Sequence, residues 1–367
     1  MVTVGIDVSR IRDGMTGAGR YAAGVLSALD EAMPDAYFVL YAYRDTSIRP
    51  PSSRWSIISD RHPFWTRLPV TQWMHLRLGT LIARHPVDVF WSPNTFIPKG
   101  TRVPCVLTVH DFNHVLVPET LPPVTRYAHR RWMNNDILAA DANVAISLGT
   151  ARRMLELLGR RPDAIAYPAV AGTTAVPDDD TSSRLMRRAG VRKPYLLTVG
   201  TRAPRKNLAG AVAAMEQLRA AGYLLDHQLV MAGPEAWNRG GRLIERKHEW
   251  IKPLGFVDDE LLAVLYANAE ALVFPSIYEG FGMPVIEARA RGCRVVTTDS
   301  PELREAGGDD AVYTDTSPQG IAAGIRTALS LPRPTPRQVE HNWPEAAEVM
   351  GSIFRRLAAS GSSISGR

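Results

Sequence analysis

Short continuous apolar runs alternate along the chain with longer stretches whose apolar residues recur every three or four positions. "VTVGIDV" (2–8), "AYFVLYAY" (36–43), "VDVFWSP" (87–93), "PCVLTVHD" (104–111) and "ANVAIS" (142–147) read as strands. After the first of them, the glycine-rich turn "GMTGAGR" (14–20) leads into a helix with Ala22, Val25, Leu26 and Leu29 on one face. Runs this continuous suit a parallel sheet covered on both faces, and strand alternating with helix predicts a doubly wound α/β domain. From about 168 to 192 the pattern lapses into small, polar and proline residues, a linker signal. It then restarts with strands at 194–200, 227–234, 251–257, 271–276 and 293–299 and a helix at 207–222, while Asp258 is placed to cap another helix. An amphipathic helix follows at 342–359. The pattern therefore predicts two α/β domains, 1–170 and 193–335, joined by a linker at 171–192 and followed by a C-terminal helix and tail at 336–367. A cleft between such domains is the default place for a ligand.

A chain of 367 residues is long for one core, which agrees with two domains. With 45% apolar and 22% charged residues the composition is that of an ordinary globular protein. The formal net charge of +6 would favour anionic partners, but the basic residues are scattered and form no nucleic-acid-binding arm. Cys105 and Cys293 each lie in a strand-like run and read as small buried residues, not as a disulfide or metal site. The N-terminus enters a strand directly and no apolar run reaches membrane-spanning length, so a cytoplasmic protein is expected, with the inner face of the membrane as the alternative location.

The segment richest in candidate chemistry is "YEGFGMPVIEA" (278–288), with acids at Glu279 and Glu287 around two glycines and a proline. The preceding strand ends near Phe274, and Pro284 suits the first turn of a helix. Gly280 and Gly282 let the backbone approach a ligand, and the N–H groups of a helix start favour a phosphate. Carboxylates on either side of that start can accept hydrogen bonds from sugar hydroxyls, so the stretch fits a sugar nucleotide. On the acids alone a plainer reading also holds, in which Glu279 is a solvated loop acid and Glu287 is attracted by the helix dipole.

The "EGFGMPVIEA" stretch, with its two glutamates eight positions apart, resembles the signature of the family-four, glycogen-synthase-like retaining glycosyltransferases of the GT-B fold. The resemblance extends through "VGTRAPRKNL" (199–208), "LVMAGP" (229–234), "LGFVDDELLAVLYANAEALVFPS" (254–276) and "GCRVVTTDSPELREAGGDDAVY" (292–313), covering nearly all of the second domain. In the first domain it rests on "TGAGRY" (16–21), "WSP" (91–93) and "TVHDF" (108–112), and "NWPEAAE" (342–348) resembles the helix that crosses back to the first domain. The "PRKN" variant is similar to mannosyl- and rhamnosyl-transferase branches. The implied fold is two facing Rossmann-like domains with the donor between them.

By position, the resemblance implies that Glu287 binds the ribose, and that Glu279 with the backbone of Phe281, Gly282 and Met283 holds the donor sugar and distal phosphate. Arg205 and Lys206 would neutralise the departing diphosphate, Gly255 and Phe256 would lie beside the base, and His110 would reach the donor sugar. Gly17 and Gly19 would form a first-domain loop facing the diphosphate. The implied reaction is retaining, metal-independent transfer of a hexose to a saccharide or other small acceptor, with a nucleotide-diphosphate sugar as co-substrate and no other cofactor. GDP-mannose is the first choice, a GDP-sugar being favoured over a UDP-sugar. Fixed cations and backbone donors aimed at the leaving phosphate are the expected main catalytic contribution, and the acids at 178–180 read as solvated surface, not as a metal site. The alternatives are a non-catalytic sugar-nucleotide-binding protein, or an epimerase or phosphorylase of the same fold.

Without the family, His110 would more often be a structural histidine, although strand ends of open α/β sheets do bind ligands. The "GAG" at 17–19 lacks the third glycine of a dinucleotide-binding turn. The stretches 63–78 and 126–136 mix aromatics with basic residues. They are read as helices packing Trp73, Leu76 or Trp132 inward, with an acceptor or an anionic membrane surface as the less favoured role.

Overall fold

The structure, a computed structural model, describes residues 1–11, 17–170, 176–235, 248–337 and 340–362. It divides into two compact units, one of Met1–Val115, Pro123–Ala169 and His341–Arg367, the other of Leu116–Pro122 and Val170–Glu340.

The first unit is built on β1 (Val2–Asp7), β2 (Ala36–Ala42), β3 (Trp55–Ser59), β4 (Val89–Ser92), β5 (Cys105–Val109), β6 (Ala142–Ala145) and β7 (Ala164–Ile165). These pair in parallel in the order β3-β2-β1-β4-β5-β6-β7. Every residue of β4, β5 and β6 is buried, so the continuous apolar runs do mark strands covered on both faces. The helices are α1 (Gly17–Ala32), α2 (Val70–Leu76), α3 (Leu78–Arg84), α4 (Asn113–Leu116), α5 (Pro123–Ala128), α6 (Asn134–Ala139) and α7 (Leu148–Leu158), with a π turn at His129–Met133 joining α5 to α6. As the periodicity predicts, Ala22, Val25, Leu26 and Leu29 form the buried face of α1.

The second unit repeats the plan. Helix α8 (Asp179–Ala189) precedes β8 (Tyr195–Val199), α9 (Leu208–Ala220), β9 (Gln228–Ala232), β10 (Ile251–Gly255), α10 (Asp259–Asn268), β11 (Ala271–Phe274) and α11 (Met283–Ala290). After these come β12 (Arg294–Thr298), α12 (Pro301–Gly307), β13 (Ala311–Thr314) and α13 (Pro318–Ser330). The sheet is parallel in the order β10-β9-β8-β11-β12-β13. Met215 and Leu218 of α9 pack with Ile321 and Ile325 of α13 over one face of it. In each unit the direction of winding reverses once, at β1/β4 in the first and at β8/β11 in the second. That is where ligands of open α/β sheets bind.

The C-terminal helix α14 (Trp343–Ser362) lies along α1. A Cβ on Gly24 would sit 2.3 Å from the Trp343 ring, so glycine is what lets the indole reach the α1 backbone. Phe354 meets Trp91 with ring centroids 6.0 Å apart, and Arg356 pairs with Asp163 at 3.0 Å.

The segment expected to be a linker, 171–192, is corrected: it contains α8, which packs against α10 and counts with the second unit. Asp178 caps α8, accepting from the Thr181 N–H at 2.8 Å, and Asp179 and Asp180 lie in its first turn, where the dipole favours acids. The three acids are exposed as expected, but they begin a helix whose buried positions, Ser182 and Met186, are too few to register as an apolar stripe.

Candidate active site

The second unit gathers its candidate groups where the strand order reverses. The chain leaving β8 passes through a single 3-10 turn, Pro204–Lys206, before Asn207 caps α9 by accepting from the Gly210 N–H. The chain leaving β11 runs past it, and the Ile277 N–H donates to the Arg205 carbonyl at 2.7 Å. This contact brings three residues 73 and 74 positions apart into one cluster. Glu279 Oε2 lies 2.8 Å from Arg205 Nη1 and Oε1 lies 2.5 Å from Lys206 Nζ. Arg205 Nη1 also donates to the Tyr278 carbonyl at 3.2 Å, and the Lys206 ammonium lies 4.6 Å from the centre of the Phe274 ring.

Glu279 is buried. Burial pushes its carboxyl up, but the Arg205 guanidinium and the Lys206 ammonium outweigh that and hold it at about 2. The cluster therefore keeps one net positive charge at neutral pH. A carboxylate offers about four lone-pair directions, so the two ion pairs leave capacity for a hydroxyl donor.

Beyond Glu279 the loop turns into α11. Gly282 stands at the N-cap with φ +111, a conformation that L side chains rarely adopt, and an added Cβ would meet Leu303 Cδ2 at 2.8 Å. No side chain caps this helix, and Pro284 occupies its first turn. Its N-terminus thus presents backbone donors and the positive end of the dipole, as an anion requires. Glu287 lies one turn in, buried, and accepts from the Tyr266 hydroxyl at 2.8 Å. Phe281 is buried, so this residue offers a ligand its backbone before its ring. Gly255 ends β10, its carbonyl accepting from the Gly233 N–H at 2.7 Å, and the next residue, Phe256, is 56% exposed, a ring available for stacking.

The remaining candidates belong to the first unit. His110 follows β5 and its Nε2 lies 2.6 Å from the Pro93 carbonyl. A carbonyl only accepts, so Nε2 carries the proton and Nδ1 is the accepting nitrogen of the neutral ring. Burial lowers the His110 pKa, opposed by the Pro93 contact and Asp111 and aided by Arg10, so the neutral form dominates at pH 7. Tyr21 packs its ring edge-on against the imidazole at 5.3 Å. Gly17 and Gly19, expected in a loop, are instead the first and third residues of α1. The loop reading fails because the apolar periodicity of α1 extends back to this point, with Gly19 and Tyr21 on the buried face. Residues 12–16 of that glycine-rich turn lie outside the described residues.

Two family models together match most of the chain: "Glycosyltransferase Family 4" over residues 15–167 and "Glycosyl transferases group 1" over residues 184–349. The chain belongs to the family-4 glycosyltransferases. It is 28% identical to O-antigen chain mannosyltransferase B of Escherichia coli over 72% of this chain and 68% of that protein. It is also 32% identical to the serotype-specific mannosyltransferase WbdA of Escherichia coli, over 47% of this chain and about a fifth (21%) of that longer protein. Among solved structures, sucrose-phosphate synthase of Thermosynechococcus elongatus superposes with a TM-score of 0.75 at 18% identity, covering 98% of this chain and all of that one. The fold is GT-B, the class expected from the sequence.

Three residues packed around these candidates escaped the sequence reading. Tyr266 was legible only as a helix residue, although its place before "ALVFPS" puts it on the face turned toward α11. Phe274 was assigned to a strand end, and its ring proves to lie against Lys206. Asn207, in the left-handed conformation with φ +51, stiffens the cationic turn by capping α9 and donating to the Thr316 carbonyl at 2.8 Å. The "N" of "PRKN" was the available signal.

Proposed function

We propose that this glycosyltransferase moves a hexose, mannose from GDP-mannose first, onto a saccharide hydroxyl with retention of anomeric configuration and without a metal ion. The observation that carries the reading is the Arg205–Glu279–Lys206 cluster, built on a buried carboxylate, beside an uncapped helix start at the strand-order reversal. A diphosphate placed there meets fixed cations and backbone donors, which stabilise the charge that grows on it as the glycosidic C–O bond breaks. The two cations take over the role that a divalent ion plays elsewhere. Glu279 holds them in place and offers its remaining lone pairs to sugar hydroxyls. Glu287, fixed by Tyr266, accepts from the ribose, and Phe256 stacks on the base.

With the cations at the leaving phosphate, the acceptor oxygen attacks from the same face. Its proton passes to the departing phosphate oxygen, leaving GDP and the new glycoside. His110, neutral and with Nδ1 as acceptor, takes a hydrogen bond from a hydroxyl of the donor sugar. The mannosyl donor is supported by the two mannosyltransferase relatives.

The test is to incubate the enzyme with GDP-mannose and methyl α-mannoside in EDTA and to read the product by NMR. An α-linked dimannoside formed at an undiminished rate supports the reading. A β-linked product, or a rate abolished by EDTA and restored by magnesium, would overturn retention or metal independence respectively. Turnover of UDP-glucose in place of GDP-mannose would overturn the donor assignment.

A further inference from the structure

In the second unit the carboxyl ends of three neighbouring strands stand side by side. Beyond β9 the Gly233 N–H donates to the Gly255 carbonyl that closes β10, and beyond β8 the Arg202 N–H donates to the Pro234 carbonyl at 3.1 Å. Arg202 and Glu235 form an isolated parallel bridge that carries the β8–β9 pairing past the strands themselves. Gly233 permits this approach: its φ is +142, and a Cβ there would collide with the Gly200 carbonyl. The sheet order β10-β9-β8 therefore sets Phe256, Glu235 and Arg202 in one row across the carboxyl edge. Phe256 is 56% exposed and the Glu235 carboxylate 43%, whereas Arg202 is buried. Arg202 Nη2 lies 3.8 Å from Glu235 Oε1, so a cation seated in the sheet edge draws the carboxylate to it while the acid stays open to solvent.

An acid on this edge repels the phosphates of a nucleotide, so it suits the uncharged end of the molecule, where Phe256 offers a ring to the base. A carboxylate accepts hydrogen bonds and donates none. Guanine brings it two donors side by side, the N1–H and the 2-amino group, which a carboxylate can take with both oxygens. Adenine turns a bare ring nitrogen to the same edge, and uracil and thymine set their single N–H between two carbonyl oxygens. Each of these brings lone pairs against the charge, so one side chain both attracts guanine and rejects the others. We propose that Glu235 reads the base: its carboxylate accepts from guanine N1–H and the 2-amino group while Phe256 stacks on the ring, and Arg202 holds the acid in position. The inference rests on the reading of this unit as a GDP-sugar site and makes the choice of base a property of one residue.

The test is calorimetric titration of the full chain with GDP, IDP and UDP, using the parent beside Glu235→Ala and Glu235→Gln. IDP is GDP without the 2-amino group, so it removes one of the two donors and nothing else. Hydrogen bonds to a charged group should make the parent bind GDP about tenfold more tightly than IDP. In Glu235→Ala the GDP affinity should fall about 10- to 100-fold and the IDP affinity less, so that the two converge. Glu235→Gln keeps the volume but replaces one accepting oxygen with an amide donor, and it too should bind GDP and IDP alike. Melting curves that match the parent's confirm that both variants are folded. Equal affinity of the parent for GDP and IDP, or loss by one common factor for all three nucleotides in Glu235→Ala, would overturn the role of Glu235 and leave the nucleotide site standing. Tighter binding of UDP than of GDP to the parent, or no binding of any of the three, would overturn the GDP-sugar reading and this role with it.

Discussion

Glu279 owes its ionisation to two cations that the sequence places more than seventy residues away. Its carboxyl ordinarily titrates near 4.5 and is held here at about 2. A group with a depressed pKa contributes stability that is complete above the ordinary value and lost as pH falls toward the folded one. The shift corresponds to about 3 kcal/mol at neutral pH. Glu279→Gln should therefore be less stable than the parent by roughly that amount in urea at pH 7. The gap should close between pH 4.5 and 2, and a gap independent of pH would show that the ion pairs do not set the shift. At Tyr266, removing the hydroxyl takes one buried donor from Glu287. Tyr266→Phe should cost about 1 kcal/mol of nucleotide affinity, roughly a fivefold rise in Kd by calorimetry. Both glutamates were legible because they fall in one short motif. Their partners Arg205, Lys206 and Tyr266 were not seen as partners, because ion pairs and hydrogen bonds between distant segments leave no local periodicity.

At the scale of elements, the buried strands were legible and three of the four edge strands were not. β4, β5 and β11 are buried along their whole length and read as unbroken apolar runs. β3, β7 and β13 stand at sheet edges with mostly half-buried residues, and "WSIIS", "AI" and "AVYT" are too short or too mixed to announce themselves. Helix α8 was missed for a related reason, since its cap residues look like linker composition. Two close approaches are testable. In Gly24→Ala the new methyl must displace the Trp343 ring, which should cost about 1–3 kcal/mol and loosen α14 from α1, read as faster amide exchange in residues 343–360. Gly282→Ala forces a side chain into a left-handed N-cap, costing about 1–3 kcal/mol of stability, and should weaken GDP binding more than it lowers the melting temperature of the unliganded protein. Equal effects with and without nucleotide would mean that the α11 start is structural only.

At the scale of the molecule, two sheets of the same plan each reverse strand order once, and the cationic cluster occupies that point in the second unit. The doubled α/β pattern was visible in the sequence because apolar strand runs alternate with amphipathic helical stretches in both halves of the chain. The acceptor was not visible, because nothing in the first unit repeats a motif with one chemical meaning. The central claim is that Arg205, Lys206, Glu279 and Glu287 form a nucleotide-sugar site. It is tested most directly by thermal-shift titration of GDP, UDP, ADP and dTDP sugars in EDTA, using the parent beside Lys206→Ala and Glu287→Ala. A donor at about 100 times its dissociation constant should add about 2.7 kcal/mol of stability. The account predicts stabilisation by the GDP sugar, undiminished by EDTA and lost in both variants. Equal stabilisation of all three proteins would contradict it.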